Sequence, residues 1–94
     1  MIVTVNLYAT FRQLAGVRSE SLDLLPTTRV LDLLRILCER HPPLQSQLFD
    51  TQGRLHGYIH LFVNQRDITY LPEGPDYILH PQDTLDIFPP VGGG

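Results

Sequence analysis

Lysine is missing from this 94-residue chain: its seven basic side chains are all arginines, Arg12, Arg18, Arg29, Arg35, Arg40, Arg54 and Arg66. A lysine ammonium can shed a proton and become a nucleophile, whereas a guanidinium stays charged. No side chain here can therefore act as an amine nucleophile or accept an isopeptide bond. Only an N-terminal amine could do so. Codon or growth-temperature bias would leave the same gap. Cysteine is nearly as scarce. Cys38 stands alone, which excludes an intramolecular disulfide and a zinc-spaced Cys/His cluster, and a reducing cytosol is the natural compartment. No apolar run approaches the ~18–20 residues of a membrane span. Met1 to Val5 alternates instead of forming an unbroken apolar leader segment. There is no basic cluster and the formal net charge is −3, which disfavours nucleic acid as a partner. The four histidines do not converge on a metal site. His56 and His60 are four apart on or near a strand, where that spacing does not chelate, and His41 and His80 lie at a helix end and in a turn. No nucleophile elbow or phosphate loop occurs, and Asp83 and Asp86 read as turn and edge residues, not as an acid–base pair.

What is present fits one small domain with one core; a chain of this size buries about 60–65% of its unfolded surface. Val3, Val5, Leu7 and Ala9 alternate with Thr4, Asn6 and Tyr8, the period-two pattern of a half-buried strand. Phe11 to Val17 reads as a loop, and Ser19 to Leu24 as a second strand closing a hairpin. Pro26-Thr27-Thr28 opens a helix, with either threonine available as its cap. Val30, Leu33, Leu34, Leu37 and Cys38 then form an apolar stripe, with Asp32, Arg35 and Glu39 opposite at pairing distances. Pro42-Pro43 stops the helix. Cys38 lies on the stripe and reads as a small core residue.

Leu44–Phe49 is expected to make a short helical turn and Asp50–Gly53 a tight turn. Ile59, Leu61 and Val63 should face the core from the most apolar stretch. Ile68–Leu71 is expected to return as a short strand, and Thr84–Phe88 to form the last one with Leu85 and Ile87 inward. A single main helix covers one face of the sheet and leaves the other open. The implied class is α+β: a mixed sheet curled around one helix, its last strand parallel to its first near the sheet centre. In that register Tyr8, Phe62 and Phe88 face away from the helix. Exposed aromatics clustered there would form an interface core, with Arg12 as a further contact.

The chain ends Pro89-Pro90-Val91-Gly92-Gly93-Gly94, directly after the last strand. Glycine has no Cβ, so such a run can pass through a channel too narrow for any side chain. The segment Leu79-His80-Pro81-Gln82-Asp83-Thr84-Leu85-Asp86-Ile87-Phe88-Pro89-Pro90-Val91-Gly92-Gly93-Gly94 resembles the ending of the ThiS/MoaD sulfur carriers, ubiquitin-like β-grasp proteins that finish in a diglycine. That family usually has Gly-Asp where this chain has Gln82-Asp83. It usually has Ala, Ser or Thr at the position of Gly92. Ala9–Gly16 resembles the loop after the family's first strand. Phe88-Pro89-Pro90-Val91 is similar to the small subunit of molybdopterin synthase, whereas Leu48-Phe49-Asp50, Gly53–His56, Phe62-Val63-Asn64 and Asp67-Ile68 resemble carriers for cysteine biosynthesis.

The resemblance implies a β-grasp domain at residues 1–88 and a flexible tail at 89–94. It implies a cytoplasmic co-substrate or non-catalytic synthase subunit, not an enzyme, with no bound cofactor. An E1-like adenylating partner would use ATP to convert the Gly94 carboxylate to an acyl-adenylate. Sulfur from a cysteine desulfurase or rhodanese would displace AMP and leave a thiocarboxylate. Gly93, Gly92 and Val91 would thread the partner's channel. The acceptor would be the molybdopterin synthase large subunit or a cysteine synthase homologue. The same tail also suits a ubiquitin-like modifier of target lysines, and a non-covalent interaction module with an inert tail is a further alternative.

Overall fold

Alternation over the first residues produces β1 (Ile2–Leu7), whose Val3, Val5 and Leu7 are fully buried. The computed structural model describes residues 1–90. After β1 come α1 (Ala9–Ala15), β2 (Ser19–Asp23), α2 (Val30–Arg40), α3 (Gln45–Leu48), β3 (His60–Val63), β4 (Arg66–Asp67) and β5 (Thr84–Phe88). The five strands form one mixed sheet in the order β2-β1-β5-β3-β4. β1 and β5 run parallel at its centre, pairing Val5 with Leu85 and Leu7 with Ile87; every other pairing is antiparallel. This is the α+β β-grasp arrangement expected from the element order.

The stripe on α2 lies on the inner face of the sheet. Val30, Leu33, Leu34, Leu37 and Cys38 are buried with Val3, Val5, Leu7, Leu61, Val63, Leu85 and Ile87 in one continuous core. Each fully buried aliphatic side chain contributes about 1.5–3 kcal/mol of transfer free energy. Pro42 and Pro43 end α2 as expected, in a 3-10 turn (Pro42–Leu44) that leads into α3. Gly53 turns the chain with φ +77°, its N–H donating to Asp50 O at 3.0 Å.

Three local expectations are corrected. Phe11–Val17 is not a loop: Ala9–Ala15 is helical, anchored by Phe11 at 1% exposure, and Gly16 closes it at φ +77° with its N–H on Arg12 O at 2.9 Å. Seven residues with one buried anchor are too few to show a helical period. Neither threonine caps α2. Thr28 Oγ1 donates to Leu25 O at 2.6 Å, the cap is Arg29, and Asp32 Oδ2 accepts the Arg29 N–H at 3.0 Å. The Val30 N–H is taken by Tyr77 O at 3.0 Å, so a distant segment completes the first turn. Ile68–Leu71 is not a strand. β4 is only two residues long, and Ile68–Tyr70 is a 3-10 turn because Asp67 Oδ1 accepts the Thr69 N–H at 2.9 Å, removing a donor that a ladder would need.

Candidate functional site

β1 and β5 each present alternate residues away from α2, and the strand register assembles these into one outer face. Tyr8 follows β1 directly and ends the strand by becoming the cap of α1. Its ring stacks on Phe88 at a centroid distance of 4.1 Å and an interplanar angle of 11°. Phe62 meets Phe88 edge-on at 5.6 Å and 84°. Arg12, one turn into α1, holds its guanidinium carbon 5.4 Å from the Tyr8 centroid while Nε donates to Leu7 O at 2.9 Å. The four residues expected to dock a partner are thus brought together, and each is half-buried. Arg12 is pinned by the strand end and the ring, not loosely solvated.

Beside this cluster runs an open apolar groove of about 650 Å³, lined by Ala9, His60, Phe62, Asp86, Phe88 and Pro89 among others. Two of its lining residues, Ala9 (φ +52°) and Gln65 (φ +70°), hold left-handed backbone without being glycine. Asn64 (φ +50°) and Gln65 together make the two-residue turn between β3 and β4, whose twist suits a hairpin. Such conformations cost of order 1–3 kcal/mol each and persist where surrounding structure holds them.

Sequence reasoning missed several of these neighbours. Asp86 is not an edge residue: β5 is central, so Asp86 sits mid-sheet, paired in register with Asn6 and Phe62, and accepts from Asn6 Nδ2 at 2.9 Å. Its parity with Phe88 signalled the outer face; the pairing with Asn6, eighty positions away, carried no local signal. Asp83 is a turn residue as expected, but a buried one at 6% exposure. It accepts the His80 N–H at 2.7 Å and Asn64 Nδ2 at 2.8 Å, tying the approach of β5 to the end of β3. Gln82, which stands where the resembling family usually has glycine, is left-handed at φ +69°, so the geometry that favours glycine is retained without it. Its N–H donates to Ile2 O at 2.8 Å, which holds that turn against β1.

His41 caps the C-terminal end of α2 and pairs through Nε2 with Glu20 Oε1 at 2.7 Å, while Arg40 binds the other oxygen. Burial pushes the Glu20 carboxyl up, but the hydrogen bonds from His41 and Arg40 outweigh it and hold the group below its ordinary value. Among the described residues no group of three or more His, Cys, Asp or Glu is placed to hold a metal ion. No helix among them is long and apolar enough to cross a membrane. Val91, Gly92, Gly93 and Gly94 lie outside the described residues.

The ThiS family model matches residues 5–94, from the middle of β1 through the glycine run. This chain belongs to the ThiS family. It is 33% identical to small archaeal modifier protein 1 of Haloferax volcanii over 89 residues, covering 95% of this chain and 97% of that protein. The crystal structure of SAMP1 from Haloferax volcanii superposes with a TM-score of 0.89 at 29% identity over the whole of both chains. A structure of a putative molybdopterin converting factor, subunit 1, from Pyrococcus furiosus superposes at 0.77 with 32% identity, covering 97% of this chain and 99% of that one. The chain is therefore a small ubiquitin-like protein of the carrier and modifier type, in a family that is generally non-catalytic.

Proposed function

We propose that this protein is a sulfur carrier whose Gly94 carboxylate is adenylated by an E1-like partner and converted to a thiocarboxylate. The observation that carries this reading is the family match, which runs past the central strand β5 (ending at Phe88) as far as Gly94. A carboxylate is a poor acyl donor because its leaving group would be oxide. The adenylate replaces that with AMP, which sulfide or a persulfide can displace. The resulting thioacid is largely ionised at neutral pH and attacks an electrophilic metabolite in a second partner's pocket. The carrier supplies the sulfur and the address, and the partners supply the catalytic groups.

In this reading residues 1–88 are the domain, 89–94 the reactive tail, and Val91, Gly92 and Gly93 the thread that enters the activating channel. Tyr8, Phe62, Phe88 and Arg12 form the docking face. The rings give the contact a rigid apolar centre, and the Asn6–Asp86 pair gives it a polar seam. Molybdopterin synthesis in the cytosol is the destination we favour, supported by the Pyrococcus furiosus relative and by the Phe88-Pro89-Pro90-Val91 ending. The relative named as a modifier supports a second reading, in which Gly94 is joined to amines on target proteins.

Intact mass of the protein purified from its own cells tests the carrier reading. A fraction heavier by one oxygen-to-sulfur exchange, mapped to Gly94, is the expected result. Isopeptide adducts without any thiocarboxylate would move the function to the modifier reading. Gly94→Ala is expected to abolish thiocarboxylate formation on incubation with the adenylating partner, ATP and a sulfur donor, with the circular dichroism spectrum unchanged. Normal yield from that variant would remove Gly94 from the reaction.

A further inference from the structure

Three separate features concern the same chemistry, the nucleophiles of the chain itself. The first is that no lysine occurs in 94 residues, so no side-chain amine exists. The second is the fate of the only thiol. Cys38 lies on the core face of α2 at 3% exposure, packed in the cluster that contains Leu34 and Leu37. Burial also pushes its pKa up to about 11, so the thiolate that would attack is scarce.

The third concerns the α-ammonium of Met1. It donates to Asp23 Oδ1 at 3.0 Å and to Leu24 O at 2.7 Å, while the Leu24 N–H donates back to Met1 O at 2.7 Å. The Met1 side chain beside it is only 8% exposed. To attack a carbonyl, this nitrogen must lose its third proton, and its lone pair is then fixed in direction by the two N–H groups held on Asp23 and Leu24 at the end of the β1–β2 ladder. The arginines remain charged and do not attack. Histidine and the exposed phenols of Tyr58 and Tyr70 can be acylated, but water cleaves an acyl-imidazole or a phenyl ester, and serine and threonine hydroxyls without an adjacent base are weak nucleophiles, so no stable product accumulates.

We propose that this chain is nucleophilically silent toward its own activated carboxyl end, so that an acyl group at Gly94 passes only to an acceptor outside the chain and never to a second copy of it. The consequence for the function proposed above, on which the inference rests for its meaning, is a specific one. As a carrier, the protein keeps its activated form from being lost to self-acylation at high concentration. As a modifier, it adds a single unit to a target and cannot extend itself into a chain.

The test bypasses the partners. The full 94-residue chain is prepared as a C-terminal thioester of a small alkyl thiol. It is held concentrated at mildly alkaline pH, with products followed by intact mass. In the reaction being sought, an amine nitrogen attacks the thioester carbonyl carbon, the C–S bond breaks, and the thiol leaves with the proton as the C–N amide forms. The natural chain is expected to give hydrolysis to the carboxylate, and an amide only when a free small amine such as ethylamine is added. Arg18→Lys introduces a lysine at an exposed position, and its covalent dimer is expected to exceed that of the natural chain on the order of tenfold or more. Asp23→Ala loosens the Met1 ammonium and is expected to produce conjugates mapped to Met1. A covalent dimer of the natural chain, through Met1 or Cys38, would overturn the proposal, as would an Arg18→Lys chain that is equally silent. Because the thioester is made chemically, these outcomes do not depend on whether any partner adenylates Gly94.

Discussion

The two faces of the sheet are built from alternate residues of the same strands yet differ in burial and chemistry. Toward α2, β1 and β5 present Val3, Val5, Leu7, Leu85 and Ile87, all without solvent exposure. Away from it, the same strands present Asn6 and Asp86, with Tyr8 and Phe88 at their ends, all half-buried. The inner face is aliphatic, branched and interlocked with a helix, which is how core packing stabilises a small domain. The outer face is aromatic and polar. It stacks its rings on one another with no covering element among the described residues, and it leaves an open groove beside them. Stability is thus concentrated on one side and the proposed docking face lies on the other, so the two should separate under mutation.

The largest expected effect tests the inner face. Leu85→Ala, on the central strand, should destabilise the protein by about 2–5 kcal/mol in a urea titration. A loss below about 1 kcal/mol would mean that the core can collapse around the void. Next comes the polar tie between the approach to β5 and the end of β3. Asp83→Ala leaves Asn64 Nδ2 and the His80 N–H without their acceptor, and should cost about 1–3 kcal/mol. The comparison breaks most sharply at Phe88→Glu. Loss of its aromatic pairs should cost only about 1 kcal/mol, whereas binding to the adenylating partner, followed by calorimetry, should fall much further. A melting temperature that drops as far as that of Leu85→Ala would place Phe88 functionally in the core.

The smallest effect lies away from both faces, at the start of α2. Hydrogen bonds from the Arg29 side chain and its backbone N–H hold the Asp32 carboxyl down to about 2. A carboxyl lowered on folding adds stability that is present above its unfolded value and is lost as pH falls through the folded one. The contribution of Asp32 should therefore fade between about pH 4 and pH 2. The pair is partly solvated, so the loss should be no more than about 1 kcal/mol. Asp32→Asn should flatten the acid limb of the stability profile by that amount. An unchanged limb would show that the pair contributes nothing measurable.

Much of this was legible in the chain because it depends on short-range periodicity. The period of two through Val3, Val5 and Leu7 and through Leu85 and Ile87 marks two half-buried strands without reference to anything distant. The i, i+3, i+4 stripe from Val30 to Cys38 marks the helix that covers them. Parity alone put Tyr8, Phe62 and Phe88 on the face opposite that helix. The glycine run and the missing lysine are compositional and need no structure to be seen. α1 was not legible because its one buried anchor, Phe11, acquires a partner only after the chain has folded. The expected strand at Ile68–Leu71 failed because a side-chain acceptor on Asp67 outcompeted a ladder, a contest that apolar pattern does not record.

Strand identity, facing and the glycine run were therefore written locally, in side-chain size and spacing. Which strands lie side by side was not, since parallel pairing of β1 with β5 joins residues about eighty positions apart. That pairing stacks Tyr8 on Phe88 and sets Asn6 beside Asp86, and together with the β3 pairing it makes Asp86 central where it had looked peripheral. The hydrogen bonds that hold the Met1 ammonium and the packing that encloses Cys38 are tertiary in the same sense. Local pattern decides which way a side chain faces, because backbone geometry repeats over two or 3.6 residues. What that side chain meets is decided by closure of long loops, whose cost is recovered only when the whole core assembles.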